Sequence, residues 1–143
     1  MHWKDLPIQR FMRDKSRSEF KWLSTLVERF HSPYEHEALT PETRTAISDQ
    51  AAIMAGSTRD DVGEVPEDIK RYVKKVALYA YRILDKDMEK LMAGGRSDEE
   101  IYEATLAAIL GSNLGRLERG LALVEGDTEL VARMDAQNKT IVT

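Results

Sequence analysis

No cysteine occurs among the 143 residues of this sequence, and that absence has two consequences. A disulfide framework cannot form, and the chain offers no thiolate to act as a nucleophile or as a redox centre. A chain that needs no disulfide suits a reducing compartment, so we expect the protein in the cytoplasm.

Long apolar runs and an excess of basic charge are also missing. No apolar stretch approaches the roughly 20 residues of a transmembrane helix, and residues 1–7 lack the apolar core of a secretory signal. Acidic residues outnumber basic ones by 25 to 21, which gives a net charge of −4. We therefore expect neither a membrane nor nucleic acid as a partner.

Aromatic residues and β-branched runs are scarce, with only three Phe and two Trp in the chain. Together with apolar residues at helical spacing, this composition predicts an all-α fold. The length fits one domain. Within it we distinguish an N-terminal arm and helix (1–38), a helical core (39–126), and a C-terminal short helix with a tail (127–143).

The clearest helix boundary lies in the middle of the chain. Ser97 and Glu100 match a capping box, and acids in the first turn suit the positive end of the helix dipole. We predict a helix from Asp98 to about Val124. The preceding helix should end near Ala93, where a Gly-Gly pair follows.

The predicted long helix has two apolar faces, one of large residues at spacings of three and four and one of small residues. The large residues are Leu106, Leu110, Leu114, Leu117, Leu121 and Val124, and the small ones are Ala104, Ala107, Ala108, Gly111 and Gly115. Glycine inside a helix costs about 1 kcal/mol relative to alanine. Gly111, Gly115 and Gly120 therefore indicate that another backbone comes close, either within the subunit or from a partner subunit.

Helix-capping and helix-breaking residues predict one helix on each side of residue 60. Thr40 caps a helix that runs to Gly56, and Pro66 starts another helix whose core stripe continues to Ile83. A break follows at Leu84, after which Asp85 caps a short helix.

The two ends of the chain and one internal loop complete the prediction. Ser16 and Glu19 match a second capping box, ahead of an amphipathic helix that ends near Phe30 and places its aromatic residues in the core. Residues 57–65 are predicted to form a solvated loop. A short helix from about 128 to 136 should precede a C-terminal tail.

The central part of the chain resembles a known family. It runs from Pro-Glu-Asp-Ile at 66–69 through Val-Ala-Leu-Tyr-Ala-Tyr-Arg at 76–82 to Gly-Arg-Ser-Asp-Glu-Glu-Ile at 95–101. The order and spacing of these motifs resemble those of the alkyl hydroperoxidase D / carboxymuconolactone decarboxylase superfamily. The resemblance implies an alkyl hydroperoxidase D-like helical bundle, to which this chain adds an N-terminal helical extension. We expect subunits to assemble through the Ser97–Val124 helix or its neighbours.

The peroxidase branch of that family carries the motif Glu-x11-Cys-x-x-Cys-x-x-x-His. Alignment on the Gly-x-Ser-x-Glu-Glu-Ile turn places Ala80 and Ile83 at the cysteine positions, Asp87 at the histidine and Asp68 at the glutamate. Because the chain has no thiolate, Cys-dependent peroxidase activity is excluded.

The decarboxylase branch needs neither a cysteine nor a cofactor and works by acid–base catalysis on a lactone acid. Such a site needs a titratable group in a dry pocket and a cation for the substrate carboxylate. The catalytic candidates are Asp87, Tyr79, Tyr81 and Arg82, and the ligand-binding candidates are Asp85, Asp68 and Arg116. The same residues can equally be helix caps, snorkelling tyrosines and surface arginines.

Two functions remain open. The first is a non-redox, homo-oligomeric protein that binds a small molecule or has a structural role. The second is a cofactor-free, decarboxylase- or lyase-like enzyme that uses Asp87 with Tyr79, Tyr81 or Arg82. A third, an adaptor that uses the N-terminal 35 residues, is less favoured.

Neither a cofactor nor a metal is expected. His31 and His36 are five residues apart with a proline between them, unlike the i, i+4 pair of a helical metal site. Residues 1–15 mix basic side chains with Trp3, Phe11 and Met12, and we expect this arm to dock through its apolar residues.

Overall fold

The computed structural model describes residues 21–142, and this part of the chain is all-α, with six helices and no strand. The helices are α1 (Lys21–Phe30), α2 (Pro41–Met54), α3 (Glu67–Leu78), α4 (Asp85–Ala93), α5 (Asp98–Glu125) and α6 (Thr128–Val142). A short 3₁₀ turn (Ala80–Arg82) lies between α3 and α4. None of these helices is long and apolar enough to cross a membrane.

The long helix α5 is the centre of the fold, and α2 packs against it most closely. A Cβ atom added to Gly111 would overlap the Ser48 carbonyl, and one added to Gly115 would lie 2.5 Å from the Ala52 oxygen. Only residues without a side chain allow the two backbones to approach so closely. The small-residue stripe therefore packs within the subunit, which was one of the two explanations that the sequence left open.

Gly120 does not share this role. A Cβ atom at this position would meet nothing within 4 Å, and the residue is exposed. The prediction of a close backbone is therefore wrong here, because Gly120 lies on the solvent side of α5. The face of large residues is buried along only part of its length, because Leu110 and Leu114 are buried whereas Val124 is exposed.

The ends of α5 follow the predicted caps. The Glu100 amide donates to Ser97 Oγ at 3.1 Å, and the Ser97 amide donates to the Glu100 carboxylate at 3.3 Å. The helix ends at Glu125, and Gly126 follows in the left-handed conformation with a φ of 70°. Thr40 caps α2, as predicted.

The end of α3 differs from the prediction. The helix stops at Leu78 instead of continuing to the expected break at Leu84. The Arg116 guanidinium of α5 donates to the Ala77 carbonyl at 2.6 Å, so a distant side chain satisfies this helix-end oxygen. Ala80, which was predicted to continue the core stripe, is exposed.

Two segments that were expected to be solvated are packed together instead. Helix α6 continues to Val142, because Gln137 and Asn138 anchor it where a tail was predicted. Gln137 Oε1 accepts the Thr58 hydroxyl at 2.6 Å and the Arg59 amide at 2.9 Å, while Asn138 donates to the last carbonyls of α2. The first residues of the 57–65 loop are consequently buried.

The first described helix, α1, ends at Phe30, as predicted, while the capping box at residues 16–19 lies outside the described residues. Val27 and Phe30 are buried against the core. Trp22 was expected in the core as well, but it is 64% exposed. Trp22 and Leu26 of α1 are therefore exposed beside α5 in the part of the chain that the structure describes.

Candidate functional site

The predicted catalytic residues Tyr79, Tyr81 and Arg82 form a cluster on the surface of the 3₁₀ turn. The two tyrosine rings meet edge to face at 6.5 Å between centroids. The Arg82 guanidinium lies 5.0 Å from the Tyr79 ring centre and 5.6 Å from that of Tyr81. Tyr81 is 77% exposed, so this cation–π cluster lacks the dry environment that acid–base chemistry requires.

Asp87, the other predicted catalytic residue, makes structural contacts through its carboxylate. Its carboxylate accepts the Leu84 amide at 2.8 Å at the start of α4, and it pairs with Lys75 Nζ at 2.7 Å. The Lys75 hydrogen bond, with help from the Leu84 amide, lowers the pKa of Asp87 below its ordinary value. A carboxylate held ionised in this way is a weak base at neutral pH.

Asp68 forms a two-point contact with the guanidinium of Arg96, with distances of 2.7 and 2.9 Å. Arg96 also donates to the Glu100 carboxylate at 2.7 Å. The hydrogen bonds from Arg96 lower the pKa of Asp68 and of Glu100. This triad ties the first turn of α3 to the first turn of α5.

A cavity of about 420 Å³ brings two of the predicted residues together. It lies between α3 and α4 and is lined by Glu67, Asp68, Arg71, Tyr72, Asp87, Lys90, Leu91 and Gly94. The other candidates are not among these lining residues. Asp85 is the exposed first residue of α4, where Leu84 takes the cap position, and Arg116 holds the end of α3.

A buried ion pair between the 57–65 loop and α5 was missed by the sequence analysis. The Arg59 guanidinium donates to both oxygens of Glu118, at 2.7 and 2.9 Å, and Ser57 Oγ donates to the same carboxylate at 3.2 Å. Glu118 is fully buried. Burial raises the pKa of Glu118, and the positive charge of Arg59 opposes that shift.

The sequence did contain a sign of this ion pair. Glu118 follows Gly111 and Gly115 at spacings of seven and three and precedes Ala122 by four, so all four residues share one helix face. A carboxylate on a face of small, buried residues needs a buried partner.

A second buried cation, Arg44, organises the loop between α1 and α2. Its guanidinium donates to the Ser32 carbonyl at 2.8 Å and to Glu37 at 2.9 Å, and it lies 4.4 Å from the centre of the Tyr34 ring. Glu103 of α5 accepts two backbone amides of the same loop, at 2.7 and 3.0 Å. Burial and the nearby Glu103 carboxylate raise the pKa of Tyr34.

An open groove, which we call the α1–α5 groove, runs beside this loop. Its apolar half has a volume of about 440 Å³ and is lined by Trp22, Leu26, Phe30, Leu106, Ile109, Leu110, Asn113, Leu114 and Leu117. Its polar half has a volume of about 570 Å³ and shares Leu26, Phe30 and Leu106, to which it adds Arg29, Tyr34, His36, Asp98, Glu99, Tyr102 and Glu103. The shared residues make the two halves continuous.

The described residues offer no cluster of three His, Asp or Glu side chains that could hold a metal ion. Comparison with known proteins identifies no family model, no curated protein and no solved structure that matches this chain. Among residues 21–142, the α1–α5 groove and the cavity between α3 and α4 are two concave sites that could hold a ligand.

Proposed function

We propose that this chain is a cysteine-less member of the alkyl hydroperoxidase D / carboxymuconolactone decarboxylase superfamily. In this proposal it is a homo-oligomer in the cytoplasm that binds a small molecule and carries out no redox chemistry. The observation that carries the proposal is the α1–α5 groove. A concave, mostly apolar surface with a few polar groups at one end is the usual form of a ligand site. The all-helical fold and the capping box that begins α5 support the family assignment.

The charges of the groove define the ligand class. The polar half is lined by the carboxylates of Asp98 and Glu99 and by the guanidinium of Arg29, while Glu103 is already engaged by loop amides. Among the described residues that line the apolar half, only the Asn113 amide and the indole N–H of Trp22 are polar. A molecule with an apolar body and a cationic head satisfies both halves, because its charge meets the two carboxylates.

Binding of the neutral fluorophore N-phenyl-1-naphthylamine tests the groove. Leu117→Glu places a charge in the apolar half and should weaken binding about tenfold or more. Met92→Glu is the matched control, because Met92 is an exposed apolar residue that belongs neither to the groove lining nor to the subunit contact proposed below. Dodecylamine should displace the probe better than dodecanoic acid. Equal binding by both variants would remove the groove as the site.

The homo-oligomer needs a surface other than the glycine stripe, which α2 already covers. Leu123 and Val124 lie side by side near the end of α5, and Val124 is 85% exposed. We place the subunit contact there. Native mass spectrometry should show an oligomer for the natural chain and smaller species for Val124→Glu. A monomeric natural chain would end this part of the proposal, and a bound mass would identify the ligand directly.

The second candidate function is the acid–base enzyme, and the cavity shared by Asp68 and Asp87 is the observation in its favour. The lowered pKa values of both carboxyl groups count against it, since a general base works best with a pKa near the operating pH. Asp87→Asn separates the two functions. If ligand binding and any activity survive this change, the enzyme hypothesis fails.

A further inference from the structure

Tyr102 presents an exposed aromatic ring to the polar half of the α1–α5 groove. The residue lines this half and is 65% exposed. Within residues 21–142, no cation lies over its ring and no other aromatic ring contacts it. The negative face of a tyrosine ring attracts cations. Tyr102 is therefore an aromatic surface on which a cationic ligand in the groove can lie.

Two carboxylates lie beside this ring on the first turn of α5. Asp98 precedes Tyr102 by four residues and Glu99 precedes it by three, so the three side chains are neighbours on one side of the helix. No ion pair between described residues includes either carboxylate. A cation at this place is therefore attracted by the ring and by both negative charges.

The other charged groups that line the polar half already have partners. Glu103 accepts two backbone amides of the loop between α1 and α2, at 2.7 and 3.0 Å. The Arg29 guanidinium lies 5.7 Å from the centre of the Tyr34 ring. The His36 imidazole lies 3.3 Å from the Glu35 carboxylate. A cationic head in this half therefore finds its partners at the start of α5.

These partners favour a quaternary ammonium group over a primary one. A primary ammonium group has three N–H donors and is strongly hydrated, and exposed carboxylates compensate little for the water it loses. A quaternary ammonium group has no N–H donor, and its methyl groups can pack on an aromatic face. Leu106, one turn beyond Tyr102, lines both halves and continues the apolar surface for an attached chain.

We propose that the α1–α5 groove binds an amphiphile with a quaternary ammonium head and that Tyr102 selects this head. In this arrangement the head lies on the Tyr102 ring beside Asp98 and Glu99. The apolar chain runs along Leu106 and Leu110 into the apolar half. The inference rests on the proposed function, because it narrows the cationic ligand to one chemical class and assigns the residue that selects it.

Displacement of N-phenyl-1-naphthylamine by two cations with the same alkyl chain tests this selection. Dodecyltrimethylammonium should displace the probe at a concentration about three- to tenfold lower than dodecylamine does, with both kept below micelle formation. Tyr102→Leu should remove this preference, whereas Tyr102→Phe, which keeps the aromatic face, should retain it. Equal displacement by the two cations, or a preference that persists in Tyr102→Leu, would overturn the proposal.

Two further variants separate the ring of Tyr102 from its surroundings. Tyr81→Leu is the matched control, because Tyr81 is a 77% exposed tyrosine outside the groove lining, and the preference should remain. Asp98→Asn removes a charge but not the ring, so it should weaken displacement by both cations and leave their ratio unchanged. If Tyr81→Leu also removed the preference, the selection would not come from Tyr102 and the proposal would fail.

Calorimetric titration without the probe separates this inference from the proposed function. Binding of dodecyltrimethylammonium to the full chain should weaken in both Tyr102→Leu and Leu117→Glu. If Leu117→Glu weakens the binding of both cations while Tyr102→Leu leaves their ratio unchanged, the groove stands and the selection is refuted. If Tyr102→Leu weakens only dodecyltrimethylammonium and Leu117→Glu changes nothing, the head site stands and the apolar half is refuted as a ligand site.

Discussion

Carboxylates at the helix starts of this protein combine a structural contact with a lowered pKa. Asp87 accepts the Leu84 amide at the start of α4 and pairs with Lys75, and Asp68 and Glu100 share the guanidinium of Arg96. Each contact favours the charged form of the carboxyl group, as does the dipole of the helix that begins there. These side chains therefore join α3, α4 and α5, and their lowered pKa values make them weak proton acceptors at neutral pH.

The pH dependence of stability tests whether Asp68 stabilises the fold through its ionised carboxylate. Because its folded-state pKa is lowered, its contribution to stability is full above its ordinary value of 3.8 and is lost as the pH falls through the folded-state value. Asp68→Asn should cost less than about 1 kcal/mol at neutral pH, since the pair is partly exposed. Urea denaturation of both proteins from neutral pH downwards should show the difference shrinking below pH 3.8.

The partner residue provides the control for Asp68. In an Arg96→Gln background, Asp68→Asn should have a smaller effect, because the hydrogen bonds that favour the carboxylate are already gone. A loss that is the same at every pH and in both backgrounds would contradict the assignment of the shift to Arg96.

Among the elements, α5 depends on its contact with α2 more than on its own helix propensity. Its 28 residues include glycines that weaken an isolated helix, yet Gly111 and Gly115 allow the α2 backbone to lie against it. The apolar residues on the other side of α5 line the groove with α1. The helix therefore separates the fixed core from the surface that we propose to bind a ligand.

Two alanine substitutions on α5 should have opposite effects on stability. Gly111→Ala drives a methyl group into the Ser48 backbone, and a backbone cannot move aside as a flexible side chain does. The substitution should therefore lower the free energy of unfolding by about 1–3 kcal/mol or more. Gly120→Ala meets nothing within 4 Å and should stabilise the helix by about 0.5–1 kcal/mol. Urea denaturation measures both changes, and a neutral Gly111→Ala would contradict the packing described here.

For the whole molecule, the sequence predicted those features that depend on neighbouring residues. The Ser97 cap and the glycine after α5 are local patterns, so both ends of this helix could be predicted. The contact between Arg59 and Glu118 joins residues 59 positions apart, and no local pattern shows which cation meets a carboxylate on a buried face. For the same reason the sequence groups the tyrosines and Asp87 into one site, whereas in the structure Asp87 lines the cavity between α3 and α4 and neither Tyr79 nor Tyr81 does.

The pair of Arg59 and Glu118 connects the 57–65 loop to α5, and its removal should therefore affect the whole fold. Glu118→Gln leaves a buried guanidinium without its main countercharge and should cost about 3–5 kcal/mol of unfolding free energy. The double variant Arg59→Met with Glu118→Leu should recover much of that loss, because apolar residues of similar volume need no countercharge. Glu125→Gln, at the exposed end of the same helix, should change stability by less than about 0.5 kcal/mol. Calorimetric or urea unfolding of the three variants measures their free energies of unfolding and checks this order of stability. If the Glu118→Gln protein were as stable as the Glu125→Gln protein, the ion pair would contribute nothing to holding the loop on the core.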